Sequence, residues 1–230
     1  GDIYVATNTT SGNSSHDIVI RKFNSSGGEQ WSKTFGGQGD ETIEDLMVST
    51  EGVIYATGKT TMRFSEETNQ ETGLQYLWSL SPSEEQRTFY YSTRSKTGAS
   101  QIAYEYDIDA ESNLYVLYQN GSYNILTKYN PNGTTEWSYP LESFDEGSGT
   151  LARFSVQGDA IGAIRYLSER EIEVLLLNLQ GEVRYREIIR GTINMRDSDI
   201  AGAGENQFFI AGNVLGNIIG STNTNLEGVD

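Results

Sequence analysis

Short runs in which apolar and polar residues alternate follow one another along this chain of 230 residues. Three of them lie within residues 113–141, NLYVLYQNGSYNILTKYNPNGTTEWSYPL, and each is bounded by Asn, Gly, Ser or Pro. Runs rich in Tyr, Val, Ile, Leu and Thr between such residues predict β-strands. The break Asn130-Pro131-Asn132-Gly133 predicts a tight turn, because Pro presets a negative φ and Asn-Gly tolerates a positive one.

This arrangement recurs along the chain with a period of about 50 residues, and the equivalent strands begin at Ile3, Ile54, Leu114, Ala160 and Phe208. Several strands in a period of that length are typical of a propeller. We therefore predict an all-β fold, a β-propeller of four-stranded antiparallel blades, with residues 1–230 forming one domain or a section of one. The predicted repeats are residues 1–42, 43–98, 99–148, 149–196 and 197–230, with the terminal repeats incomplete.

Each repeat is interpreted as four strands, A to D, numbered from the innermost outward. Residues 102–108, 114–118, 124–129 and 135–139 are the predicted strands of the third repeat. Residues 169–190 contain many helix-favouring Glu, Leu and Arg residues, yet Ile172, Val174 and Leu176 alternate with their neighbours and Gln180-Gly181 interrupts the run, which favours two strands. The first repeat lacks strand A and the last stops after strand B, so we expect a section of a longer propeller.

The chain is strongly acidic, with a formal charge of -16 and a pI near 4.4. Such a surface repels nucleic acid and anionic membranes, so neither is an expected partner. The chain has no cysteine, which excludes disulfides and thiolate metal sites. No apolar run approaches membrane-spanning length, so no direct membrane insertion is expected. Because the chain begins at Gly1, we expect a processed N-terminus or a longer parent.

The first repeat resembles the bacterial SBBP β-propeller repeat family. The matching segments are residues 1–5 (GDIYV), 16–23 (HDIVIRKF), Gly28, Trp31, 35–40 (FGGQGD) and 51–58 (EGVIYATG). The third repeat matches at residues 114–116, 128–129, Gly133 and 137–138, whereas the second and fourth lack the tryptophan. The resemblance implies a propeller of secreted or surface-attached bacterial proteins, and it transfers no catalytic residues.

One turn carries oxygen ligands at alternating positions: Asp107, Asp109, Glu111 and Asn113. Carboxylate and amide oxygens on a tight loop are what Ca²⁺ needs. The glycine expected in an EF-hand-type loop is absent, however, and the equivalent turns of other repeats do not share the pattern, which favours a plain turn. No cofactor is expected apart from calcium as a candidate ion.

No complete catalytic set stands out, because His16 is the only histidine. The acidic residues in the segments that link the blades are candidates for a glycosidase site, in which two of them would need carboxyl groups about 5 to 9 Å apart. These residues are Asp40, Glu41, Glu44, Asp45, Asp145, Glu146, Asp197 and Asp199. The default interpretation of acidic loop residues in so acidic a chain is surface charge.

Partner contacts are predicted on the polar insertion at residues 60–73 and on tyrosines that alternate along a strand. The candidate binding residues are Thr60, Arg63, Phe64, Glu66, Tyr90 and Tyr91. Five Asn-x-Ser/Thr sequons are candidate glycosylation sites, at Asn8, Asn13, Asn24, Asn120 and Asn132. Inter-blade packing of the tyrosines and chance sequons in turns are the alternatives.

Together these features predict a non-enzymatic extracellular or cell-surface module that serves as a structural or protein- or glycan-binding scaffold. Its expected partners are other surface proteins, copies of itself or a polysaccharide, and the periplasm is the alternative location. The alternative function is a carbohydrate-active or calcium-dependent propeller that uses its axial acidic residues.

Overall fold

The computed structural model describes residues 1–10, 16–36, 39–61, 74–81, 86–91, 101–120, 123–142, 152–168, 170–191, 198–204, 207–211 and 218–219. The regular structure of these residues is β-strand throughout. The chain divides into two compact units, Gly1–Gly98 and Ala99–Asp230. The division falls at one of the predicted repeat boundaries.

The Gly1–Gly98 unit contains two antiparallel sheets. The first has the order β1 (Ile3–Thr10), β2 (His16–Phe23) and β3 (Glu29–Phe35). The second has the order β4 (Glu41–Val48), β5 (Ile54–Thr60), β6 (Leu74–Leu80) and β7 (Gln86–Tyr91). Neighbouring strands are also neighbours along the chain, as in a propeller blade. Ile18, Ile20, Ile54, Trp78 and Leu80 are among the buried residues of its core.

In the Ala99–Asp230 unit, the described residues form three sheets. The first consists of β8 (Gln101–Ile108), β9 (Leu114–Asn120), β10 (Tyr123–Tyr129) and β11 (Thr135–Glu142). The second begins with β12 (Arg153–Gln157), β13 (Ala160–Ser168), β14 (Glu171–Asn178) and β15 (Val183–Gly191), and the third pairs β16 (Asp199–Gly204) with β17 (Gln207–Ala211). Buried Tyr115, Leu126, Phe154, Ile161 and Leu175 belong to its core.

The turn between the third and fourth strand positions is built in the same way in three blades. An asparagine carbonyl accepts a hydrogen bond from the N–H of a glycine three residues later, at 2.8 to 2.9 Å. The same asparagine's Oδ1 accepts a second one from the residue after that glycine. The glycines adopt φ near +80°, a conformation that costs a side-chain-bearing residue energy. The asparagine–glycine pairs are Asn24 and Gly27, Asn130 and Gly133, and Asn178 and Gly181.

The predicted fold class, an all-β chain of antiparallel propeller blades, is confirmed. The segment with helical propensity forms β14 and most of β15, because alternate residues such as Leu175 and Leu177 enter the core. Within the described ranges, the first sheet has three strands and the last has two, in line with the incomplete terminal repeats that were predicted. The sequence did not indicate β18 (Ile218–Ile219), a two-residue strand that pairs with Gly191 and Arg190 at the outer edge of β15.

Candidate active site

Three innermost strands lie next to one another in the Ala99–Asp230 unit: β12 contacts β8 on one side and β16 on the other. Among the residues that the structure describes, each of these strands pairs with one other strand of its own sheet. Its other edge therefore presents backbone N–H groups that need partners. The side chains that serve as those partners come from the adjacent blade, so they bring charged groups to this edge.

Two acidic side chains of β8 accept hydrogen bonds from the backbone of β12. The N–H of Phe154 donates to Glu105 Oε2 at 3.2 Å, and the N–H of Val156 donates to Asp107 Oδ2 at 2.6 Å. Ser155 Oγ repeats the pattern, because it accepts a hydrogen bond from the N–H of Gly202 on β16 at 3.3 Å. Each acceptor on β8 and its N–H donor on β12 are 49 residues apart in the sequence, which is about one repeat.

Glu105 is the electrostatically unusual member of this cluster. Burial raises the pKa of its carboxyl from 4.5 to about 8, although the charge of Arg153 and the Phe154 hydrogen bond oppose the change. The negative charges of Asp199 and Asp107 add to the increase. The carboxyl is therefore mostly protonated at neutral pH, in a setting where an ordinary glutamate is ionised.

The arrangement provides the components for general acid–base chemistry. Glu105 supplies a neutral carboxylic acid, Asp199 an exposed carboxylate and Arg153 a guanidinium group. A carboxylic acid that its surroundings keep neutral, beside further carboxyl groups, is a recurring feature of hydrolytic sites. We call Glu105, Asp107, Arg153 and Asp199 the inner-strand cluster.

Of the acidic residues named from the sequence as candidates for a glycosidase pair, Asp199 belongs to this cluster; Asp107, also a member, was named as a candidate calcium ligand. Asp145, Glu146 and Asp197 lie outside the described residues. The acidic residues of the Gly1–Gly98 unit have separate partners: Asp40 bonds to His16, buried Glu41 accepts from Thr60, Glu44 pairs with Lys59, and Asp45 accepts from the N–H of Leu46.

The candidate calcium ligands occupy one turn and divide between different partners. The carboxylate of Asp109 is buried and accepts hydrogen bonds from the Asn113 backbone, the Asn113 amide and the Tyr115 hydroxyl, at 2.8 to 2.9 Å. Asp107 faces β12, as described above, and Glu111 is exposed. Within the residues described, no group of three or more His, Asp or Glu is placed to hold a metal ion. Calcium binding stays a prediction from the sequence.

The candidate binding and glycosylation residues are only partly described. Thr60 is buried, and its hydroxyl donates a hydrogen bond to Glu41. Tyr90 and Tyr91 belong to β7. The other three candidates, Arg63, Phe64 and Glu66, lie outside the described residues. Among the sequons, Asn132 is exposed, Asn8 accepts a hydrogen bond from Ile43, Asn24 holds a turn, Asn120 ends β9, and Asn13 lies outside the described residues. These sites stay predictions.

Sequence reasoning did not identify Glu105 and Arg153 as site residues. Glu105 falls within a predicted strand, residues 102–108, to which no function was given, and Arg153 was not singled out. The sequence did contain one signal for Glu105, which is its position between two tyrosines in a predicted innermost strand. A charged residue in such a strand is expected to be partly buried, and buried charges are rare unless they have a partner.

Comparison with known proteins found likenesses among solved structures. No family model matches the chain, and no curated protein matches it. A solved structure described as a candidate gluconolactonase is similar, with a TM-score of 0.42 and 13% sequence identity over 90% of this chain and 73% of that one. Such a likeness concerns the fold and assigns no reaction to this chain. In the part of the chain that the structure describes, no helix is long and apolar enough to cross a membrane.

This comparison corrects the function predicted from the sequence. The expected module was non-enzymatic, whereas the protein of similar fold is a candidate enzyme. None of the comparisons supports a non-enzymatic extracellular role. The prediction relied on the lack of a recognisable catalytic set in the sequence, and fold and sequence motif alone do not decide whether a protein is an enzyme.

Proposed function

We propose that the Ala99–Asp230 unit is a hydrolase that cleaves carbohydrate-type substrates by general acid–base catalysis at the inner-strand cluster. The observation that carries this proposal is the carboxyl of Glu105, whose pKa of about 8 keeps it protonated beside an arginine and two further carboxyl groups. Burial raises that pKa by itself, but the charges of Arg153, Asp199 and Asp107 also act on Glu105, so these four residues form one electrostatic cluster.

Each residue has a role that its surroundings suggest. Glu105 donates a proton to the leaving-group oxygen, since it is the member of the cluster that is neutral at pH 7. Asp199 is exposed and accepts a proton from water, and Arg153 stabilises negative charge that develops on oxygen. Asp107 is a positioning residue, because its Oδ2 already accepts from the N–H of Val156 and from Ser155 Oγ.

Two carboxyl groups in different protonation states are the usual means of hydrolysing a glycosidic bond, which supports a carbohydrate as the substrate class. The charge of -16 disfavours polyanionic substrates such as nucleic acid. A competing role is structural, since Glu105 and Asp107 also join two blades through the Phe154 and Val156 N–H groups. The two roles predict different results for a variant of Glu105 that has no acidic proton: the catalytic role predicts a loss of activity, and the structural role does not.

The test uses Glu105→Gln, because glutamine keeps an oxygen that can accept the Phe154 hydrogen bond but cannot donate a catalytic proton. The wild-type chain and the variant are assayed with nitrophenyl glycosides and sugar lactones from pH 4 to 10. We expect kcat/KM of the wild type to fall above a pH of about 8, and the variant to lose about 10²- to 10⁴-fold in activity. Glu111→Gln, an exposed residue of the same unit, is the matched control.

Turnover that survives in Glu105→Gln with an unchanged pH profile would show that this group is not the acid. If neither the wild-type chain nor any variant hydrolyses the panel, the cluster is a structural connection between blades and the proposal fails. Asp199→Asn separates the roles further, since the loss of a base removes the acidic limb of the profile and leaves the alkaline limb in place.

We also infer kinship with the SBBP repeat family, on the residues of the first and third repeats given above, and with it an extracellular or cell-surface location. Other surface proteins, further copies of the chain and polysaccharides remain the partners proposed. Localisation is tested by fractionating the native cells and probing each fraction with an antibody to this chain. Detection confined to the cytosol would refute the location and weaken the kinship.

A further inference from the structure

Two asparagines of this chain directly precede a glycine, and the fold places them differently. Asn120 precedes Gly121, and Asn132 precedes Gly133. In such a pair the backbone nitrogen of the glycine can attack the side-chain carbonyl of the asparagine, because glycine has no Cβ to obstruct the approach. The two reacting groups belong to one chain, which gives them a high effective concentration. Which asparagine reacts in the folded protein therefore depends on its surroundings.

Asn120 is held inside a sheet. Its backbone pairs with Gln101 of β8 on one side and with Tyr123 of β10 on the other. Closing a cyclic imide between an asparagine and the next residue requires the backbone to leave the extended conformation. A residue that is paired on both sides does so only when its strands separate. We therefore expect the fold to protect Asn120.

Asn132 lies in the exposed turn between β10 and β11. Two hydrogen bonds converge on its side-chain oxygen. The N–H of Thr134 donates to Asn132 Oδ1 at 3.0 Å, and the hydroxyl of Thr134 donates to the same atom at 2.7 Å. The amide nitrogen takes no part in these two bonds, so both donors act on the carbonyl oxygen.

Two donors on one carbonyl oxygen favour nucleophilic attack on its carbon. When the Gly133 nitrogen attacks Cγ of Asn132, negative charge develops on Oδ1, at which both Thr134 donors already point. Donors placed in advance around such an oxygen stabilise the transition state, as in the oxyanion holes of acyl-transfer enzymes. Thr134 therefore assists a reaction of its own neighbour in the turn.

Another hydrogen bond of the same turn opposes this reaction. The N–H of Gly133, which is the attacking group, donates to the carbonyl of Asn130 at 2.8 Å. This bond must open before the nitrogen can reach Cγ. Opening an exposed turn costs less free energy than separating the strands of a sheet. Asn132 should therefore react more slowly than in an unfolded chain, and faster than Asn120.

We propose that Asn132 is a site of spontaneous deamidation in the folded protein and that Thr134 promotes the reaction. The Gly133 nitrogen forms a bond to Cγ, and its proton passes through solvent to Nδ2. The bond between Cγ and Nδ2 breaks, and the nitrogen leaves as ammonia. Water then opens the cyclic imide at either carbonyl, which gives aspartate or isoaspartate and adds a negative charge to the turn. The reaction does not depend on the hydrolase proposed above.

The test follows both asparagines in the same sample. The full chain is incubated at pH 7 and at pH 9, in buffer and in urea, and is then digested with pepsin at acidic pH. Mass spectrometry of the peptides measures the conversion of Asn132 and Asn120, and fragmentation separates aspartate from isoaspartate. We expect similar rates for the two in urea. In buffer Asn132 should convert faster than Asn120, and faster at pH 9 than at pH 7, because the glycine nitrogen must lose a proton.

Two substitutions test the role of Thr134. Thr134→Val removes the hydroxyl and keeps the backbone N–H, so it should slow the conversion of Asn132 in buffer about 2- to 10-fold, as expected for the loss of one hydrogen bond. Thr134→Ser keeps the hydroxyl and should convert like the wild type. In urea all three chains should convert Asn132 at the same rate, because the turn is not formed there.

Conversion of Asn120 in buffer at a rate equal to or above that of Asn132 would overturn the choice of site, as would no conversion of Asn132. Equal rates for Thr134→Val and the wild type in buffer would overturn the role of the hydroxyl. Circular dichroism of each variant shows whether it is folded. The comparison of Asn132 with Asn120 needs no substitution, so the proposal can be refuted even where a variant does not fold.

Discussion

The carboxyl of Glu105 should make the stability of this protein fall as pH rises. Its pKa is about 8 in the folded chain and 4.5 when unperturbed. Below pH 4.5 the group is protonated in both states and does not affect their balance. Between pH 4.5 and about 8 the unfolded chain releases a proton that the folded chain retains, so the free energy of unfolding decreases with pH. Above that range the cost stays constant.

The size of this effect follows from the interval between the two pKa values. One pKa unit corresponds to about 1.4 kcal/mol, so the interval corresponds to at most about 5 kcal/mol between pH 4.5 and 8. Relaxation around the ionised group and entry of water reduce this value. Glu105→Gln cannot ionise, so we expect the variant to gain relative stability as pH rises, by about 2 kcal/mol or more at pH 9.

Urea denaturation measures this, since urea does not screen the charges involved. The free energies of unfolding of the wild type, Glu105→Gln and Glu111→Gln are compared at pH 4.5, 7 and 9 by circular dichroism and by tryptophan fluorescence, which also shows whether the two units unfold together. The Glu111→Gln control should follow the wild type. Parallel curves for the wild type and Glu105→Gln over this range would refute the raised pKa and, with it, the proposed acid.

Two further predictions concern packing and buried charge. Gly181→Ala should lower the free energy of unfolding by about 2 to 3 kcal/mol, because φ of +81° disfavours alanine and its Cβ would meet the Trp137 ring. Gly27→Ala, at φ +83° with nothing within 4 Å of the added Cβ, should lower it by about 1 kcal/mol. Equal losses for the two variants in thermal unfolding would contradict the proposed contact. Glu173→Gln should cost about 3 kcal/mol, because this buried carboxylate pairs with two arginines, while Glu171→Gln, a more exposed ion pair on the same strand, should cost under about 1 kcal/mol. Chemical denaturation that ranks Glu171 above Glu173 would refute that reasoning.

Much of the fold could be predicted because its units are local. The predicted strand at residues 102–108, for example, matches β8, Gln101–Ile108, to within one residue. The turns at Asn130 and Asn178 use an asparagine and a glycine whose conformational preferences act over four residues. A strand and its turn satisfy most of their own hydrogen bonds, so the sequence carries the information in one place.

The candidate site could not be predicted in the same way, because its residues come from different repeats. Glu105 and the N–H group it binds, that of Phe154, are separated by about one full repeat. The alternation of residues along β8 does not reveal which side chain reaches the next blade. The pKa of Glu105 depends on burial and on Arg153 and Asp199, which belong to two other strands.

The amino-acid sequence by itself determined the strands, their turns and the repeat, because backbone preferences and the alternation of apolar residues act over a few positions. It also determined the acidic character of the surface. Tertiary structure alone decided which blades share a hydrogen bond, why Gly181 is packed against Trp137, and why Glu105 keeps its proton. The physical reason is that desolvation and charge interactions depend on distances across blades, which the order of residues does not contain.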